Sequence, residues 1–253
     1  IVAGVFAADE SPSITRFARW NGTSWTNFGA ANKGVYAFVN LSNGDLIAGG
    51  SFTSIDGVVM RRIARWNGST WAAIAGGMSG DVVSLSPLPG EGFVAGGYFI
   101  FAGNLTVRGV ARWNGSSWAA LHNGVNGSVY CVAALQNGDI VVGGNFEDVG
   151  IPVHSIAKWN GTSWSSMRSG ANLGAMVDAL AVLPNGDLVA GGFIGSLGDV
   201  SATMIGRWDG SAWYGLGNGL RDWVSVLQPL PNGDITVAGG YFLNGNRLFS
   251  RYS

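Results

Sequence analysis

Charge is scarce in this sequence. Of 253 residues only 11% are Asp, Glu, Lys or Arg, and the formal net charge is −1. So sparse and balanced a set builds no basic surface, which removes nucleic acid and anionic membrane from the expected partners. Cysteine occurs once, at Cys131 in an apolar run. Neither an internal disulfide nor a cysteine zinc site can form within one chain, and a buried, inert thiol is expected. No apolar run approaches the roughly 18 residues of a membrane helix, so membrane insertion is not expected. Helical periodicity is missing throughout.

Glycine, in contrast, is abundant at 42 residues, and it recurs at fixed positions of a repeat. The stretch IARWNGSTWAA from Ile63 has near copies from Phe17, Val110, Ile156 and Ile205, and a degenerate half-copy, FSRYS, from Phe249. The anchoring aromatic falls at Trp20, Trp66, Trp113, Trp159, Trp208 and Tyr252, giving spacings of 46, 47, 46, 49 and 44 residues. Such a period signals a repeat architecture, here one repeat domain over residues 1–253. The chain starts at Ile1, without Met and midway through a repeat, as expected if a signal peptide or other upstream sequence had been removed or never included.

Residues 129–167 show the unit. VYCVAAL reads as a first strand, Asn137-Gly138-Asp139 as a tight turn, and IVVGGNF as a second strand. The paired glycines closing that strand predict a twist or a backbone approach too close for a Cβ. A longer, variable connection follows, then SIAKW, a second tight turn at Asn160-Gly161-Thr162, and SWSSM. Each unit is thus four antiparallel strands with tight turns at one end and longer connections at the other. Small residues in the first strand, Ala37 and Val39, Ser84 and Ser86, Cys131 and Ala133, Ala179 and Ala181, suit innermost strands crowding an axis. In the third strand Ala64 and Trp66 share one face and Ile63 and Arg65 the other. Neither face of such a sheet can stay wet, so radial stacking is expected.

Ten of the eleven Trp residues are locked to the repeat and are expected to pack between blades; Trp223 alone falls outside the two slots. The basic residue before each anchor, Arg19, Arg65, Arg112, Lys158, Arg207 and Arg251, is expected to hydrogen-bond while snorkelling between blades, with a turn Asp (Asp45, Asp139, Asp187, Asp234) as candidate partner.

The order NGD, IVVGG, connection, IAKWNGTSW resembles the kelch and WD-repeat blades. It is most similar to the secreted bacterial repeat of the form NGDLVAGGSF…IARWNGSSW. The resemblance implies an all-β propeller of four-stranded antiparallel blades in an extracellular or cell-surface protein, and it brings no catalytic residues with it. Strands of the four kinds number five, six, six and five, which favours five blades with one sheet shared between the chain ends; six is the alternative. Surplus strands have unpaired edges that invite exchange with another chain.

Candidate site residues cluster at the end with the long connections. The residue after the paired glycines varies (Ser51, Tyr98, Asn145, Phe193, Tyr241), where aromatic and amide groups suit a sugar. Glu147, Asp148, His154 and His122 lie in connections without ligand spacing, so solvated loop residues are expected and no metal or cofactor is called for. Asp178 breaks the inner-strand rule, in a slot filled elsewhere by Tyr36, Val83, Tyr130 and Ser225. Of seven N-x-S/T sequons, at Asn21, Asn40, Asn67, Asn104, Asn114, Asn126 and Asn160, four sit in the repeated turn, whose geometry already explains them. The leading expectation is a non-catalytic structural or adhesive module that binds a protein partner or itself. A lectin whose glycans sit between blades comes second, and a propeller hydrolase or oxidase third.

Overall fold

A computed structural model describes residues 2–4, 15–89, 92–239 and 248–252. Every regular element among them is a strand. The chain forms two compact units, Ile1–Ala120 and Leu121–Ser253.

Four sheets have the expected four strands in sequential antiparallel order. In the first unit these are Val35–Asn40, Leu46–Gly50, Ile63–Trp66, Trp71–Ala73, and then Val82–Pro87, Phe93–Gly97, Val110–Trp113, Trp118–Ala120. In the second they are Asn126–Ala134, Ile140–Asp148, Ile156–Trp159, Trp164–Ser166, and then Met176–Val182, Leu188–Phe193, Ile205–Trp208, Trp213–Gly215. The turns close as the sequence predicts. Asn160 Oδ1 accepts the amide hydrogens of Thr162 at 3.0 Å and Ser163 at 2.8 Å, the local side-chain bond that makes Asn a turn former.

The expected shared sheet is corrected. Trp25–Ala31 lies beside Thr15–Trp20 on one edge and, at Ala31 alone, meets Ile55 of Ser54–Ile55 on the other. Val224–Pro229, Ile235–Gly239 and Leu248–Tyr252 make a sheet of three. A strand joined by a tight hairpin closes a far shorter loop than one recruited from the opposite end of the chain.

Within each unit the sheets stack. Ile47 and Ile63 pack forward with Val82, Phe93 and Ala95 of the next sheet, while Ala48 and Ala64 pack backward with Phe17 and Ala31. Cys131, Val141 and Ile156 meet Val177, Leu188 and Ala190 in the same manner in the second unit. The paired glycines serve two contacts. A Cβ on Gly49, Gly143 or Gly191 would stand 2.5 to 2.6 Å from the Val82, Val177 or Val224 side chain of the next sheet's first strand. A Cβ on the second glycine would strike its own first strand: Gly50, Gly144 and Gly192 meet the carbonyls of Gly34, Ser128 and Met176 at 2.0 to 2.2 Å. In each sheet that first strand carries a β-bulge opposite the glycines, which aims the carbonyl at the glycine.

Of the tryptophans expected to pack between blades, Trp20 and Trp25 are instead 48% and 58% exposed and pack on each other, with ring centroids 5.4 Å apart. Trp71, Trp164 and Trp213 pass their Nε1–H to the carbonyls of Phe28, Leu121 and Met167 at 2.9 to 3.0 Å. The basic residues pair within their own sheet rather than between sheets: Arg65 with Asp45 at 2.6 Å, Lys158 with Asp139 at 3.0 Å, Arg207 with Asp187 at 2.5 Å. Each pair spans neighbouring second and third strands, because register sets the cation beside the turn that opens the second strand. Arg251 and Tyr252 contribute backbone pairing only; their side chains lie outside the described residues, as does all of Tyr241.

Candidate functional site

The connections between second and third strands read from sequence as loops, and three of them are hairpins: Ser54–Ile55 with Val58–Val59, Phe101–Ala102 with Leu105–Thr106, and Ser196–Leu197 with Val200–Ser201. Each is latched to the linker that precedes its own sheet. Asn32 Oδ1 accepts from the amides of Thr53 at 2.8 Å and Ser54 at 3.1 Å. Ser79 Oγ takes those of Ile100 at 3.0 Å and Phe101 at 2.9 Å. Asn172 Oδ1 takes those of Gly195 at 2.7 Å and Ser196 at 2.9 Å. Backbone bonds Gly103 N–H to Gly77 O and Gly198 N–H to Gly170 O, both 2.7 Å, add a second clasp. The exit from each connection is left-handed, at Arg62 (φ 65°), Gly109 (φ 79°), Ser155 (φ 59°) and Met204 (φ 64°).

These fixed hairpins hold apolar side chains in water. In the first unit Val58 and Val59, and Ile100, Phe101 and Leu105, are exposed, Val59 by 65% and Phe101 by 44%. In the second unit Ile151, Leu173 and Phe193 are exposed. Scattered apolar residues on a surface need no account; here several are carried by the hairpins of two successive sheets.

Beside the Phe101 hairpin lies a cleft of about 520 Å³. Arg61, Arg62, Phe101, Asn104 and the glycines Gly76, Gly77 and Gly103 are among its lining residues. Gly77 holds φ 75° and has no space for a Cβ, which would come within 2.3 Å of Arg61 Cβ. Arg62 is occupied: its Nη1 donates to Met78 O at 3.0 Å and its Nε faces Asp81 Oδ1 at 3.5 Å, too open for a hydrogen bond. Arg61 is exposed.

The foreseen residues do not gather into one site. Ser51 accepts a hydrogen bond from Tyr36 Oη at 2.9 Å. Tyr98, Asn145 and Phe193 are exposed, each directly after the paired glycines of its own sheet. Asp148 accepts the amide hydrogen of Gly150 and so caps its turn. Glu147 is exposed, His122 is exposed at φ 53°, and His154 is half-buried with Nδ1 lacking a hydrogen-bond partner. Among the described residues no three His, Cys, Asp or Glu side chains lie close enough to share a metal ion.

Asp178 is the exception, and its partner is the other repeat-breaker. Trp223 Nε1 donates to Asp178 Oδ2 at 2.5 Å, tying the sheet that begins at Met176 to the linker that leads into Val224–Pro229. Burial raises Asp178 from its ordinary 3.8 to about 6, opposed by the Trp223 bond and the Phe193 amide. Burial also pushes the Cys131 thiol well up, with the Asp178 charge adding to the effect. Because the Asp178 value rises on folding, its contribution to stability is fully present below about pH 4 and is lost as pH climbs through about 6. Asp178→Asn keeps an acceptor for Trp223 and removes the charge. In urea denaturation it should abolish this decline and exceed the wild type by about 1 kcal/mol at pH 7, solvent screening included. A wild-type decline that persists in Asp178→Asn would contradict the assignment.

No protein-family model matches the sequence, and neither does any curated protein sequence. Solved structures do match. YCF48 bound to D1 peptide aligns at a TM-score of 0.50 with 17% identity, over 85% of this chain and 62% of that one. PorZ, a bacterial surface component of the type-IX secretion system of Porphyromonas gingivalis, aligns at 0.54 with 13% identity, over 94% of this chain and 39% of that one. The chain therefore spans less than two thirds of either. Both are propeller-like, and with the four-stranded antiparallel sheets they give this chain the β-propeller class of fold.

Proposed function

We propose that this chain is a non-catalytic protein-interaction module, placed outside the cell, whose partner docks on the hairpins at the long-connection end. One observation carries the proposal: the connections are latched by side chain and backbone, yet present Val58, Val59, Ile100, Phe101 and Leu105 to water. A scaffold that fixes apolar side chains before binding lowers the ordering cost of the complex. The peptide on YCF48 and the surface location of PorZ are compatible with such a role, and the resemblance of the repeats to exported bacterial propellers supports the location.

Panning a random displayed-peptide library tests this. Wild-type protein should enrich peptides that the double variant Val59→Ser, Phe101→Ser fails to hold, losing about tenfold or more in affinity while its melting temperature stays unchanged. No enrichment, or enrichment indifferent to the two substitutions, would refute the role.

A further inference from the structure

Resting on that interaction role, we infer that the cleft beside the Phe101 hairpin takes an extended peptide segment in which acidic and apolar residues alternate, with a carboxylate on Arg61 and an apolar side chain on Phe101. Three observations converge. First, among the described residues at this end of the first unit, the exposed cations have few anions left to pair with. Asp56 spends Oδ1 on the Ala30 amide at 2.9 Å, and Asp81 faces Arg62. Lys33, Arg61 and Arg108 are exposed and have no ion-pair partner among the described residues.

Second, the cations follow the repeat. Arg61 and Arg108 each stand just before the left-handed exit residue of a connection, where the second unit has His154 and Thr203. Among the described connections the cationic exit occurs in the two complete sheets of the first unit, whose hairpins also carry the exposed Val59 and Phe101; Arg247, at the same place in the last repeat, lies outside the described residues.

Third, the shape suits a strand-like chain. Three glycines are among its lining residues, so along that part of the lining a peptide meets backbone rather than side chains. Successive side chains of an extended peptide point opposite ways, so an alternating segment sends every second residue toward the same side. A concave cleft does not fit the flat face of a bilayer, which makes an anionic peptide the occupant the geometry favours.

Fluorescence anisotropy with three short labelled peptides tests this: Glu alternating with Leu and Phe, the Gln counterpart, and the Lys counterpart. The Glu peptide should bind roughly tenfold tighter than the Gln peptide at low salt, with the gap closing as salt approaches 1 M. Arg61→Glu should erase that preference and Arg61→Lys keep part of it; Phe101→Ser should weaken the Glu and Gln peptides alike. Thermal melts of each variant separate lost binding from lost fold. Equal binding of Glu and Gln peptides, both sensitive to Phe101→Ser, would overturn the acidic preference and leave the interaction role standing. Binding of none of the three, while panning still yields hairpin-dependent peptides, would overturn the cleft assignment alone. Arg61-dependent binding to phosphatidylserine vesicles in preference to the Glu peptide would replace the peptide with a membrane.

Discussion

Gly144→Ala should destabilise the protein by about 3 kcal/mol or more in urea denaturation, whereas Gly138→Ala should cost about 1 kcal/mol. Both are glycines of the same sheet, and helix or strand propensity hardly separates them. Space does. The Gly144 Cβ would sit 2.0 Å from the Ser128 carbonyl, a backbone atom held by the bulged pairing of the first strand, and nothing flexible can yield. At Gly138 the turn is open, with no atom within 4 Å, and only the φ of 88° resists a side chain. The equivalent contacts at Gly50 and Gly192 should give losses as large as Gly144. Equal small losses at Gly138 and Gly144 would show that the carbonyl contact is absent from the folded protein.

Trp213→Ala should cost about 3 to 5 kcal/mol, the range for a large aromatic removed from a packed interior. Trp213 is only 3% exposed and lies among Met167, Ala171 and Leu197. Its Nε1–H also reaches the Met167 carbonyl at 3.0 Å, so Trp213→Phe should still lose about 1 to 2 kcal/mol through an unanswered buried acceptor. Two other tryptophans serve as internal controls. Trp118 has the same slot, but its buried Nε1 has no hydrogen-bond partner, so Trp118→Phe should cost less than Trp213→Phe. Trp25 is 58% exposed, so Trp25→Ala should stay near or below about 1 kcal/mol. A uniform cost across the three positions would mean that the staple to the preceding carbonyl contributes nothing.

These contrasts also mark how far the residues alone could be read. The Asn-Gly turns, the four strands of each unit and the steric role of the glycine pairs were all legible, because tight turns and Cβ clashes are local. The Asp pairs of Arg65, Lys158 and Arg207 were legible as candidates but were assigned to the wrong gap, since register and not spacing sets a cation beside its turn. The latch hairpins were missed although a signal was present. Asp56-Gly57, Gly103-Asn104 and Gly198-Asp199 are two-residue turns between short apolar or β-branched pairs, the pattern of a tight hairpin; their variable surroundings hid it.

At the candidate site, Asp178 stood out as a repeat-breaker, but its partner did not. Trp223 is the one Trp outside the repeat slots, and pairing the two exceptions would have found the bond at 2.5 Å. Glu147, Asp148 and His154 share a connection in sequence, yet Asp148 is taken up in capping Gly150 while Glu147 faces water. Arg61 and Phe101, which line one cleft, come from different repeats, and no one-dimensional pattern brings them together.

Amide hydrogen exchange at the connections tests the account most directly. If the hairpins are fixed platforms, the amides of Ile100, Phe101, Gly195 and Ser196, whose acceptors are the Ser79 and Asn172 side chains, should exchange almost as slowly as those of Val94 and Ala95 in the buried second strand. Exchange at the rate of an unstructured peptide, with the strands still protected, would show the connections to be free loops and leave the proposed binding face without its scaffold.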